Sequence, residues 1–103
     1  MPAPYLLKYA KQADEMIASL EADPASEARL KKVRKALRHL RENPRYPGLH
    51  SHPYESFPVD RPVKVWDSYV ENNTPSAWRI FWHYGPDEDD QSVITVLAIT
   101  PHP

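Results

Sequence analysis

The reactive potential of this 103-residue chain lies in five histidines and one arginine set inside an apolar run. His50 and His52 stand two apart in "GLHSHP", Arg79 and His83 share the stretch "WRIFWHY", and His102 is next to last. An imidazole titrates near neutrality and passes a proton. A guanidinium is planar, permanently charged and matched to an anionic transition state. Strand alternation over 78–84 predicts Arg79, Phe81 and His83 on one face, with Trp78, Ile80, Trp82 and Tyr84 on the other. A short antiparallel turn into the next apolar run brings the end of the chain, and His102, beside the start of that strand. The competing readings are an Arg79 paired with an acid on a neighbouring strand and a His102 in a solvated tail. His50-x-His52 with His83 or His102 also offers a weak zinc spacing, without the cysteines that would strengthen it.

The absences narrow the chemistry. Two glycines cannot build a phosphate-cradling loop, and no Ser-centred elbow is present, so nucleotide-dependent catalysis is not expected. With no cysteine, disulfides, iron–sulfur clusters and thiol chemistry are excluded. No metal and no cofactor are expected.

The formal net charge of −1 hides an asymmetry. Residues 29–46 carry eight bases (Arg29, Lys31, Lys32, Arg34, Lys35, Arg38, Arg41 and Arg45) against Glu42 alone. Asp87, Glu88, Asp89 and Asp90 concentrate acid elsewhere. Such separation suits either an anionic partner, nucleic acid foremost, or a plainly solvated helix face. Lys31, Lys35, Arg38, Arg41 and Arg45 are the candidate RNA contacts. Tyr46, Tyr54 and Trp66 are candidate base-stacking rings, or else they pack the intervening loop onto the core.

Positioning these groups falls to a single domain, 1–103, of class α+β. Leu6, Tyr9, Ala10, Ala13, Met16, Ile17 and Leu20 recur at helical spacing, predicting a helix over 5–21 with only Met1–Pro4 before it. Asp23-Pro24 supplies a cap and a first-turn proline. Leu30, Val33, Leu37 and Leu40 stripe a second helix that ends near Asn43, because Pro44 disfavours helical geometry before it. The expected layout is a helical hairpin over 5–43, a proline-rich loop over 44–62 and a β-meander over 63–100. The hairpin packs on a three- to four-stranded antiparallel sheet, with strands at 63–70, 78–84 and 92–100 and a short one near 49–52. No stretch reads as a signal peptide or membrane span, so a cytoplasmic protein is expected.

From "KALRHLRENPRYPGLHSH" through "KVWDSYV" and "WRIFWHY" to "VITVLAITPHP", the chain resembles the RelE/ParE superfamily of bacterial toxins over some seventy residues. The resemblance implies a helical hairpin on a twisted sheet and a toxin neutralised by a cognate antitoxin protein. It implies either metal-independent cleavage of mRNA on the ribosome or, as the alternative, a non-catalytic protein. The latter is a gyrase poison or a diverged antitoxin-binding module. Arg79 corresponds to the arginine such toxins place against the scissile phosphate, and His102 to their terminal proton-transfer residue. His50 and His52 occupy the auxiliary positions. Family members open with a sheet-edge strand, and here that strand is expected to be absent, very short or replaced.

Overall fold

The structure, a computed structural model, describes residues 4–71 and 77–101. In chain order it contains β1 (Leu6–Tyr9), α1 (Lys11–Ala22), a 3-10 turn (Pro24–Ser26), α2 (Glu27–Glu42), a second 3-10 turn (Pro47–Leu49), β2 (His52–Pro53), β3 (Trp66–Tyr69), β4 (Trp78–Tyr84) and β5 (Val93–Pro101). These strands form one sheet of order β1-β5-β4-β3-β2. The β2/β3, β3/β4 and β4/β5 pairs are antiparallel, while β1 runs parallel to β5 with Leu6 opposite Val93 and Tyr9 opposite Val96.

The sheet is therefore five-stranded and mixed, which corrects the expected three- to four-stranded antiparallel arrangement. The first helix starts at Lys11, and residues 6–9 are a strand. Their burial alternates, with Leu7 and Tyr9 turned inward and Leu6 and Lys8 outward. Leu6 and Tyr9 happen to fall three apart, so a helical stripe runs through them while passing over Leu7. Extended backbone at Ala10 (φ −69°, ψ 164°) then separates strand from helix. Gln12 continues the role of β1 with its side chain, since its Oε1 accepts from Ile99 N–H at 3.0 Å. The predicted stop of the second helix holds: Asn43 is extended, and its N–H closes the last turn on His39 O.

The main core lies between the helices and one face of the sheet. Val33, Leu37 and Leu40 of α2 and Ala13 and Leu20 of α1 join Trp78, Ile80, Trp82, Ile94, Val96 and Ile99. The step from Val96 to Ile99 reflects a bulge opposite Phe81/Trp82, where β5 spends one extra residue. Leu97 and Ala98 consequently both serve the other face. There Phe81 and Ala98 are covered by Tyr54, Phe57, Val63 and Val65 from the proline-rich loop. The double-sided apolar character of β5 is thus met within the chain, by the helices on one side and this loop on the other.

Candidate functional site

Pro44 stops α2, and the chain after it is fixed to the sheet by a run of hydroxyls from part-buried Ser51 to buried Ser68. Trp82 Nε1–H donates to Ser68 Oγ at 2.8 Å, the Ser51 and Ser68 hydroxyls meet at 2.6 Å, and Ser51 Oγ contacts Pro44 O at 2.9 Å. A carbonyl only accepts, so the Ser51 proton goes to Pro44 O and the Ser68 proton to Ser51 Oγ. Every donor in this run is matched. Between these anchors His50 adopts φ 48°, ψ 41°. That left-handed geometry costs a non-glycine residue about 1 kcal/mol, and it turns the imidazole onto Tyr69 at 4.9 Å between ring centroids.

Around Tyr69 the candidate groups converge. Tyr69 faces Arg79 directly across β3 and β4. The Arg79 guanidinium lies over the Tyr69 ring at 3.8 Å, a cation–π contact. Its Nη1 reaches on to Asp67 Oδ2 at 3.4 Å, and His52 Nε2 approaches the same oxygen at 3.5 Å. Asp67 is fully buried and the Arg79 side chain 13% exposed. The His52 Nδ1 lies 2.8 Å from His50 O; since that oxygen must accept, Nδ1 carries a proton and Nε2 is the nitrogen turned to Asp67. Among the described residues the ring nitrogens of exposed His50 make no hydrogen bond. The buried Nε–H of Arg79 likewise has no acceptor among them.

A second surface adjoins this cluster. Along α2, Arg34 pairs with Glu21 at 2.6 Å, while Arg29 and Lys32 approach Glu71 at 3.8 and 3.6 Å. Lys31, Lys35, Arg38, Arg41 and Arg45 are exposed and meet no acid among the described residues. A groove of about 390 Å³ runs from Lys32 and Lys35 past His39 and Tyr46 to Tyr69. Tyr46 is 41% exposed and stacks flat on His39, centroids 4.1 Å apart and planes 2° from parallel. The phenol of Tyr69 thus belongs to both the basic groove and the Arg79 cluster.

The structure therefore gathers Arg79, His50 and His52 in one place and lays Lys35 and Tyr46 along the groove that leads there. Lys31, Arg38 and Arg41 are exposed elsewhere on α2, and Arg45 on the loop after it. His102 lies outside the described residues. His83 is buried, with Nδ1 donating to Tyr84 O at 3.0 Å. Asp67 and Tyr69 were not singled out from the sequence. Aspartate is depleted in strands, so its place in "KVWDSYV", two residues before a tyrosine on the same face, was the available signal. Among the described residues no group of three or more His, Asp or Glu is arranged to hold a metal ion. No described helix is long and apolar enough to cross a membrane. Burial, reinforced by the Tyr5 phenol and opposed by Arg45, raises the Tyr84 pKa above its ordinary value.

No family model and no curated protein matches the sequence. Among solved structures, the YoeB dimer from Staphylococcus aureus superposes with a TM-score of 0.60 at 13% identity. The alignment covers 98% of this chain and 100% of that one. At that identity the likeness establishes a shared fold: two helices against a twisted mixed sheet, carried over essentially the whole of both chains.

Proposed function

We propose that this protein is the toxin of a toxin–antitoxin pair and cleaves mRNA on the ribosome without a metal ion. Three supports converge: the RelE/ParE-like motifs, the YoeB-like fold, and the site around Tyr69. The observation that carries the reading is the state of Arg79. Its guanidinium is set against Asp67 and the Tyr69 ring, with 13% of the side chain still open to solvent. A phosphate oxygen meets the cation at that open edge, and a preorganised cation is most effective where negative charge builds up in the transition state.

In this reading the 2′-hydroxyl of one nucleotide attacks the adjoining phosphorus, and the bond from phosphorus to the 5′-oxygen breaks. His50, exposed and with its nitrogens free among the described residues, takes the 2′ proton. His52, with Nδ1 committed to His50 O and Nε2 turned to Asp67, holds the loop and the local charge. His102 returns a proton to the leaving 5′-oxygen. General acid–base steps of this kind contribute about 10²–10⁴-fold each. The four unpaired bases of α2, with Arg45 on the loop beyond it, draw RNA in, and Tyr46 offers a stacking face.

A translation reaction with purified protein, read by mapping mRNA ends, tests this proposal. Cleavage in the wild type that falls about 10²–10⁴-fold in Arg79→Lys, His50→Ala and His102→Ala supports it. Arg79→Lys keeps the charge beside Asp67 while removing the planar fork, so its loss of activity is not a loss of fold. One feature favours a second reading, a non-catalytic protein that binds an antitoxin or gyrase: the Arg79 charge is already neutralised by Asp67. A wild-type protein that leaves mRNA intact on the ribosome decides for that alternative.

A further inference from the structure

On the face of the sheet opposite Asp67 and Arg79, a cleft of about 400 Å³ opens between the exit of α2 and the ends of β3 and β4. That volume falls within the roughly 300–1,000 Å³ of small-ligand sites. Its sheet side is aromatic. Trp66 and Trp82 face each other across the strands and stack at 5.8 Å with planes 17° apart. Tyr84 stands edge-on to both, at 6.2 and 4.9 Å. The other side is the loop after α2, from which Arg45 and Tyr46 project.

Two cations attend these rings. Arg45 is exposed and meets no acid among the described residues. The Lys64 ammonium lies 4.9 Å from the Trp66 ring centroid. Planar π walls with the unpaired Arg45 cation at the rim, and the Lys64 ammonium against the Trp66 ring, select a ligand that is flat and anionic. An extended peptide is poorly served on the loop side. Pro44 and Pro47 have no N–H, and the N–H groups of Arg45, Tyr46 and His50 are already spent on Asn43 Oδ1, Asn43 O and Pro47 O. Stacking needs no backbone donors.

We infer that this cleft binds a single nucleotide of the RNA, its base against Trp66 and Tyr84 and its phosphate on Arg45. The assignment rests on the RNA-directed reading above for the polymer, but not on any chemistry at Arg79. His50 joins the two sites: it lines this cleft and stacks on Tyr69 beneath the Arg79 guanidinium. A strand with one base seated here is thereby led over the edge of the sheet toward Arg79, which gives the enzyme a position at which to prefer one base over another.

Tryptophan fluorescence titrated with 5′-GMP, with inorganic phosphate as the control, tests the site. Quenching by 5′-GMP but not by phosphate is expected. The dissociation constant should rise at least tenfold in Arg45→Glu and in Tyr84→Ala and stay unchanged in Lys11→Gln, which removes an exposed cation outside the cleft. Both informative positions are exposed, so the variants keep the fold. Absence of quenching, or quenching indifferent to Arg45→Glu and Tyr84→Ala, overturns the inference. So does quenching by an acidic, aromatic peptide but not by 5′-GMP, which gives the cleft to a protein partner. Failure of the catalytic reading is seen separately: mRNA left intact while 5′-GMP quenching persists removes cleavage and leaves the cleft.

Discussion

Arg79 reaches past the residue it faces. Its cross-strand neighbour is Tyr69, and the guanidinium passes over that ring at 3.8 Å to meet Asp67, one pleat along β3, at 3.4 Å. The diagonal reach makes the tyrosine a spacer that holds the cation flat, and it makes the fully buried carboxylate the anchor of the cluster.

Asp67→Ala is therefore expected to destabilise the protein by about 3–5 kcal/mol, as happens when one partner of a buried ion pair is removed. Asp67→Asn, which preserves the shape and one acceptor oxygen, should cost clearly less. Chemical denaturation of the two variants checks the ranking; stabilities equal to wild type would mean that Asp67 does not anchor the cluster.

Leu37→Ala should cost about 2–5 kcal/mol. Leu37 is buried in the cluster that α2 shares with Trp78, Ile80 and Trp82, and neither helix nor sheet can close the resulting space without moving the other. The urea midpoint is the readout, and an unchanged midpoint would contradict the packing of α2 on β4.

At Gly48 the test is steric. A Cβ there would sit 2.7 Å from Tyr46 Cε2, closer than real side chains allow. Because Tyr46 is half-exposed, Gly48→Ala should cost only about 1 kcal/mol, the low end for overpacking, while driving the ring off His39. Loss of the ring-current shift on the His39 protons by NMR is the expected signature, with the remainder of the spectrum preserved.

Alkaline pH should expose the environment of Tyr9. Burial, with Asp14 adding to it and Arg41 opposing, raises its phenol pKa above 10.0. The folded state thus holds the phenolic proton more tightly than the unfolded chain, so this contribution is complete below about pH 10 and fades as pH rises through the raised value. Tyr9→Phe should leave neutral stability almost unchanged and flatten the loss of stability above pH 10, as measured by thermal melts across that range.

The parts of this fold governed by local chemistry could be read from the residues: the α2 stripe, its stop at Asn43-Pro44, and the strand at Trp78–Tyr84. What escaped was governed by distant partners. Leu6–Tyr9 becomes a strand because Val93–Val96 offers an edge, and nothing in the spacing of four residues announces that. The same holds at the site. Arg79 and the two histidines were legible as residue types, whereas the grouping depends on Asp67 and Tyr69, whose importance comes from register across strands. The bulge in β5 is a third case, since one extra residue decides that Leu97 and Ala98 share a face.

The parallel pairing of β1 with β5 has a consequence for how the chain matures. Translation delivers Leu6–Tyr9 long before their partners Val93–Val96. The helices, built from local contacts, form while most of the sheet is still unmade, whereas closing the longest loop in the molecule waits for the final strand. Until β5 arrives, β1 has no neighbour, the apolar side of α1 lacks its support, and the cluster at Arg79 lacks the strand that flanks β4. The assembled site therefore comes into being only once β5 has been made and has paired with β1 and β4.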